Sequence, residues 1–382
     1  MELVTIKDIS KTIKTGKTPP SKEKKYFNGE VNWYTPGDLK FNKYLDESKR
    51  TLTKLAFSDK KAIVHEPGTL LIGCIGDIGK LGITTTRSSS NQQITGVFPN
   101  ENADVNYLYY WFKGHKETLE NYSNNAVVPI LNNRTLEKVK IPLPPLETQK
   151  KIASILDAAD AYRQKTKALI KKYDELTQSL FLEMFGDPVT NPKGWEKNEM
   201  KVLCSFEKNS VKPQDIKSGD IYIGLECIEK ESGIIIEKFE VEPGEVKSNK
   251  FKFDSDYILY GKLRPYLNKV ANPDFEGICS TDIIPIKPRQ DKSNKYFIIS
   301  LMRGSWFVSF ANENTSGANL PRISPKKIEK YLSINPPIEL QNQFAERVKK
   351  IEVQKAQAQE SLEKAEELFS SLLQRAFKGG IS

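Results

Sequence analysis

The stretch IPLPPLETQKKIASIL (Ile141–Leu156) has a second copy in INPPIELQNQFAERV (Ile334–Val348). A shift of 192 residues sets Pro144, Pro145, Glu147, Gln149 and Ala153 on Pro336, Pro337, Glu339, Gln341 and Ala345. Further along, Lys172, Glu175, Leu176, Ser179, Leu180 and Phe185 fall on Lys364, Glu367, Leu368, Ser371, Leu372 and Phe377. Eleven identities over residues 144–185 are several times what chance gives, so the chain is built on an internal duplication. Upstream, the halves align more loosely at a shift near 189. There VNWYTPGDL faces DIYIGLECI, TLLIGCIGDIGK faces YILYGKLRPYLN, SNQQITGVFP faces CSTDIIPIKP, and Pro129 meets Pro321.

Each copy opens a long amphipathic helix. Prolines stand just before it, where a missing amide donor costs nothing, and neither interior holds Pro or Gly. In the first, Ile152, Ile155, Ala159, Tyr162, Thr166, Leu169, Tyr173, Leu176 and Leu180 recur at 3-4 spacing, the a/d seam of a coiled coil. In the second the seam is Phe344, Val348, Ile351, Ala358, Leu362, Ala365, Phe369 and Leu372, with Lys355 in one slot. Such seams serve a homodimer or an internal pair; two related helices in one chain favour the internal pair.

The modules before the helices carry short β-rich runs such as TLLIG, ITGVF and YILYG between turn residues. Helices are expected over Asp104–Tyr122 and Ser293–Phe310. The aromatic run Tyr107–Phe112 reads as a buried helix face rather than a base-stacking platform. The expected fold is α+β: two pseudo-repeated globular modules, residues 1–146 and 197–337, each followed by a long helix, 147–185 and 338–378. GDPVTNPKGWE at 186–196 is the linker. The two helices should pack as an antiparallel coiled coil.

Composition narrows the function. Across 382 residues, 58 Lys and Arg oppose 49 Asp and Glu, a net charge of +9 that suits a polyanionic partner. No apolar run nears the roughly 20 residues a membrane span needs, and MELVTIKDIS has no apolar signal core, so a cytoplasmic location without membrane contact is expected. The four cysteines are too scattered for a zinc or disulfide framework. Only His65 and His115 could serve a nucleophile, and no phosphate cradle of the GxGxxG or GxxxxGK type appears. Asn335-Pro336-Pro337-Ile338 looks like the loop of a DNA amino-methyltransferase but lacks its aromatic, and its duplicate reads Leu143-Pro144-Pro145-Leu146; strand-end structure is the better reading. Glu245-Val246-Lys247 is a chance echo of a nuclease triplet. No catalytic or metal site is expected.

Recognition remains. Turn-flanked polar residues occupy equivalent places in both halves: Lys80, Arg87, Asn91, Gln92 and Gln93 in the first. In the second they are Lys262, Arg264, Tyr266, Asn268, Ser280, Thr281, Asp282 and Arg322. Asn and Gln side chains grip adenine at two points, and Arg or Lys grips guanine.

Two variable modules, each closed by an IPLPPLExQ-type segment and a long helix, resemble the specificity subunit of type I restriction–modification systems. LLIGCIGDIGKLGI (Leu70–Ile83) is also similar to that family's first module. The second copy departs from the pattern, with Asn335 where Leu143 stands and GKLRPYLNKV in place of the glycine-rich turn. The resemblance implies a non-catalytic subunit reading a bipartite, asymmetric target in double-stranded DNA. It implies two modification subunits docked on the helices, bringing S-adenosylmethionine, and restriction subunits using ATP and Mg. The helix residues Ile152, Ile155, Tyr162, Leu169, Tyr173, Leu176, Leu180, Phe344, Val348, Ile351, Leu362, Phe369 and Leu372 would serve packing or that docking. A specificity subunit of a fused nuclease–methyltransferase, or a coiled-coil adaptor without DNA readout, are the alternatives.

Overall fold

A computed structural model describes residues 2–39, 43–123, 128–206 and 208–378. Two compact units emerge: Met1–Lys165 with Leu362–Ser382, and Thr166–Ser361. The long helices, Leu146–Phe185 and Ile338–Phe377, each contribute one part to either unit.

In the first unit the main sheet orders its strands Ser10–Thr15, Ile94–Pro99, Leu70–Gly73, Leu81–Thr84 and Tyr44–Leu45. Leu70–Gly73 is buried on both faces, as a continuous apolar run requires in a central strand. A smaller sheet, Thr51–Leu52, Phe27–Tyr34 and Ser89–Ser90, stands beside it. In the second unit the main sheet runs Cys204–Ser205, Ile283–Pro288, Ile258–Gly261 and Val270–Ala271, repeating the first order. Its companion sheet has five strands, Ser210–Val211, Lys250–Phe253, Gly277–Cys279, Asp220–Ile223 and Phe239–Val241. Each module also pairs its first strand with its last: Leu3–Thr5 with Lys140–Pro142, and Lys197–Glu199 with Leu332–Ile334.

That closing strand leads through two prolines into the long helix, where one buried side chain fixes the joint. Gln149 is fully buried; its Oε1 accepts from the Asp104 amide at 2.8 Å, and its Nε2 donates to Pro144 O at 2.8 Å and Asn102 O at 2.9 Å. Gln341 repeats the construction on the Asn294 amide (2.9 Å) and Pro336 O (2.8 Å). In each half the glutamine ties the helix root to the residues that cap the module's own helix.

The module helices are shorter than the sequence suggests. Asp104–Tyr122 holds two helices, Val105–Gly114 and Lys116–Asn121, broken at His115. Ser293–Phe310 likewise divides into Lys295–Arg303 and Ser305–Glu313, because Gly304 takes an extended backbone. The aromatic run is a buried face, with Tyr107, Leu108, Tyr110 and Phe112 inaccessible.

Within each unit the long helices run antiparallel. In the first, Ile152 and Leu156 share a core with Phe369 and Ala376, and the Arg163 guanidinium lies 4.4 Å from the Phe369 ring centre. In the second, Phe185 meets Phe344 at 5.2 Å between centroids, and Asp174 pairs with the buried Lys355 at 2.5 Å. The expected seam of the second helix is buried or half-buried throughout, Phe344 to Leu372. The expected seam of the first holds at Ile152, Ile155, Ala159, Thr166, Tyr173 and Leu180 but fails at three positions. Tyr162, Leu169 and Leu176 are exposed at 55%, 43% and 49%, while Leu156 is buried and Arg163, Ile170 and Thr177 are half-buried. Ile152 is buried and Ile155, Tyr173 and Leu180 are half-buried. At every second seam position the inward residue is thus one later than apolar spacing indicates, Leu156, Arg163, Ile170 and Thr177, and Arg163 and Asp174 reach partners on the second helix.

Two stability outcomes follow. Replacing Gln149 with Leu strands the buried Pro144 carbonyl and the part-buried Asp104 amide and should cost about 2 kcal/mol or more by urea unfolding, at roughly 1–3 kcal/mol per unsatisfied group. Leu169→Gln should stay within about 0.5 kcal/mol of wild type, whereas Leu156→Ala should cost about 2–5 kcal/mol.

Candidate nucleic-acid interface

The candidate residues other than Arg87 sit at one end of each main sheet, and the backbone there is duplicated bond for bond. In the first module Gly73 N donates to Lys80 O (2.8 Å), Cys74 N to Gln93 O (2.8 Å), Gly76 N to Pro129 O (3.0 Å) and Leu131 N to Cys74 O (2.9 Å). In the second, Gly261 N donates to Lys269 O (2.9 Å), Lys262 N to Asp282 O (2.9 Å), Arg264 N to Pro321 O (2.7 Å) and Ile323 N to Lys262 O (3.1 Å). The polar loops match too: Asn91 N donates to Tyr34 O and Ser280 N to Ile223 O, each at 2.9 Å. Two different sequences therefore build one scaffold: a turn after a buried strand, a polar triplet opposite it, and a strand segment closing the far side.

Side chains distinguish the two. Asn91 is 7% exposed and folds back, its Oδ1 accepting from Gln93 N at 3.1 Å and its Nδ2 donating to Gln93 Oε1 at 2.9 Å. It shapes the loop rather than facing solvent. Gln92 is exposed, and its Oε1 accepts from Thr18 Oγ1, which leaves its amide donors outward. In the second module Ser280 plays the part of Asn91, accepting from Asp282 N at 3.3 Å, while Thr281 takes the exposed place of Gln92.

Charge is arranged alike in both. Asp77 lies between Lys80 (2.9 Å) and Lys116 (3.3 Å), and the Lys80 hydrogen bond holds its carboxyl below the usual range. Asp282 lies between Lys262 (3.6 Å) and Arg322 (3.2 Å). Each carboxylate orients two cations; the Asp282 group leaves one positive charge over, whereas in the first module Lys116 also pairs with Glu120 at 3.6 Å. Arg264 is exposed in the left-handed region (φ 51°), and Tyr266 on the same turn is 54% exposed. Asn268, also left-handed (φ 48°), donates to Arg303 O at 2.9 Å and supports the turn from within.

Arg87 does not join its group. It lies past the other end of strand Leu81–Thr84 and pairs with Glu66 at 3.4 Å. Sequence spacing also missed Lys269, the backbone counterpart of Lys80, whose Nζ donates to Leu225 O at 2.6 Å. The exact shift of 189 between Lys80 and Lys269 was the available signal.

The side chains with catalytic potential are engaged elsewhere. His65 Nε2 lies 2.8 Å from Ser90 Oγ, beneath the Asn91 loop, and a Cβ on Gly96 would come within 2.4 Å of its Nδ1. Burial pushes the thiols of Cys74, Cys204 and Cys279 up to about 11, 12 and 12, far from thiolate chemistry. Asn335 donates to Asn198 Oδ1 at 2.9 Å beside the closing strand pair, and Glu245 accepts from the Glu242 amide in a turn. Among the described residues no His, Cys, Asp and Glu cluster suits a metal ion, and no helix is long and apolar enough to cross a membrane.

Residues 1–177 match the family model described as the type I restriction modification DNA specificity domain. The chain is 26% identical over 370 residues to the type I restriction enzyme MjaIX specificity subunit of Methanocaldococcus jannaschii, covering 89% of this chain and 84% of that one. Its fold is similar to the type I restriction–modification S subunit of M. genitalium (TM-score 0.60, 14% identity, 98% of this chain and 96% of that chain). It is also similar to a chain from a structural study of complex assembly and conformational transition in the type I R-M system (TM-score 0.55, 13% identity, 99% and 98%).

Burial, and then the charge of Lys14, lowers the pKa of His65 to about 4. The unfolded chain, with an ordinary value near 6.5, binds the proton more tightly, so stability present above pH 6.5 is lost as pH falls toward 4. Between pH 6.5 and 5 the loss should be roughly 2 kcal/mol, at about 1.36 kcal/mol per unit. Urea unfolding across that range should show it, and His65→Gln should flatten the profile.

Proposed function

From kinship with the type I specificity subunits over most of the chain, we propose that this protein reads a bipartite, asymmetric sequence in double-stranded DNA, one half-site per module. The observation that carries the reading is the duplicated sheet end: one backbone construction, repeated, presents different outward side chains. Gln92 with Lys80 stands in the first module, and Arg264, Tyr266 and Thr281 with Lys262 and Arg322 stand in the second. Identical scaffolds with divergent tips suit two half-sites of different sequence. Gln92 offers its amide edge to adenine, Arg264 its guanidinium to guanine, and the paired lysines meet phosphates.

The chain serves as a non-catalytic subunit. The long helices dock two modification subunits, which supply S-adenosylmethionine and adenine methylation; restriction subunits supply ATP- and Mg-dependent cleavage. Support for these partners is the family, the assembly study in which a similar fold was solved, and the exposed apolar row Leu169 and Leu176 that the helix pair leaves uncovered.

The test is methylation mapping of DNA exposed to the complex with wild-type or variant chain. Gln92→Ala should relax the first half-site alone, and Arg264→Ala the second alone, each by about 1–3 kcal/mol of base discrimination, or roughly 5- to 150-fold. Arg87→Ala should leave both half-sites unchanged. Unaltered preference at both half-sites in a Gln92→Ala, Arg264→Ala double variant would overturn the assignment.

A further inference from the structure

The two modules differ beside their reading loops. In the first, the segment KTGKTPPSKEKK (Lys14–Lys25) is fastened along the loop: Gly16 N donates to Ile94 O at 2.8 Å, Lys17 N to Ser90 O at 2.9 Å, and Thr18 Oγ1 to Gln92 Oε1. Gly16 approaches so closely that a Cβ there would lie 2.1 Å from Asn91 O. The Trp33 indole donates to Lys17 O at 3.3 Å, and Pro19 is buried. The backbone is thus fixed while the lysine side chains Lys14, Lys17, Lys22, Lys24 and Lys25 are exposed, opposed within the segment by Glu23 alone.

Among the described residues the second module has no equivalent. Its segment Lys208–Asp220 starts with Ser210–Val211, which pairs with strand Lys250–Phe253, and that strand in turn pairs with Gly277–Cys279. Strand Lys250–Phe253 therefore stands between the segment and the strand that leads into Ser280. Its lysines Lys208, Lys212 and Lys217 are opposed by Asp215 and Asp220, which leaves one positive charge against four in Lys14–Lys25, and the following stretch exposes six glutamates from Glu226 to Glu242 against Lys230 and Lys238. A phosphate backbone is attracted to the first arrangement and repelled by the last.

We propose that Lys14–Lys25 is a phosphate clamp belonging to the first half-site alone, so that the first module captures duplex DNA and carries most of its salt-dependent contacts. The second module reads its half-site largely without such help. This rests on the DNA-reading function proposed above. Because the lysines project from a segment bonded to the Gln92 loop, the clamp positions the base-reading side chain as it engages phosphate, without itself carrying sequence information.

The test is affinity of the full chain for a duplex of random sequence as a function of salt. Lys14→Gln, Lys22→Gln and Lys24→Gln together should lower the slope of log K against log salt by about 2 to 3, at roughly 0.9 per phosphate contact. The triple Lys208→Gln, Lys212→Gln, Lys217→Gln should lower it by less than about 1. The corresponding Lys→Arg triple in the first module should keep the wild-type slope, which separates lost charge from lost fold, and the methylated sequence should not change in any variant. Equal slope losses in the two Gln triples would overturn the unequal clamp while leaving the reader intact. A wild-type chain whose duplex binding has no salt dependence would overturn both.

Discussion

Each half depends on a buried glutamine. Gln149 and Gln341 sit where a flexible joint would otherwise exist, between a closing strand and a long helix, and each side-chain amide is spent on backbone groups around it. A hydrophobic residue there would pack but leave those groups unsatisfied; a carboxylate could accept but not donate. An amide alone does both without bringing charge into the core. The prolines before it remove donors that have no partner at a helix start, so the joint is satisfied from both sides. The orientation of a module on its helix is thereby set by directional bonds as well as by the apolar contacts of Ile152, Leu156, Phe344 and Val348.

The segment around those glutamines is what the sequence made easiest to read, because a joint with so few chemical solutions changes little after duplication. The correspondence of Asn91–Gln93 with Ser280–Asp282 also followed from alignment, since a central buried strand cannot shift register without exposing its apolar face. The helix seam was harder. Apolar spacing selected Tyr162, Leu169 and Leu176, yet the inward row includes Arg163 and Asp174, which pair with Phe369 and Lys355 on the second helix. Long side chains cover apolar surface with their stems, and a pattern that counts only apolar residues passes over them. The breaks at His115 and Gly304 did leave a signal in the sequence, a glycine at or beside each (Gly114 and Gly304) and the polar run KGHKET over 113–118.

The candidate site was legible as a place more than as a set of atoms. Loop residues such as Asn91 and Asn268 were read as recognition groups because their chemistry suits bases, but the same chemistry suits turns. Asn91 closes an Asx-type turn, and Asn268 occupies the left-handed region that asparagine tolerates. Their neighbours Gln92 and Arg264 are the ones left facing outward. Composition cannot separate the two roles, since the difference lies in which side chain the loop uses to hold itself.

Duplication then permits unequal labour. Where two copies of a scaffold are held to one geometry by backbone bonds, the side chains at their tips and the segments beside them are free to diverge. The carboxylate between two cations appears in both copies but at different points, Asp77 in the turn and Asp282 in the facing loop. A carboxylate that orients two cations has thus been assembled twice from different residues, with Glu120 as a further acid in the first copy. The lysine-rich segment answers to no such constraint and occurs once. A reader whose two halves bind with different dependence on salt gains long-range attraction from one half without adding sequence-independent affinity to the other. Since phosphate contacts raise binding to every sequence alike, confining them to one module preserves discrimination at the second half-site.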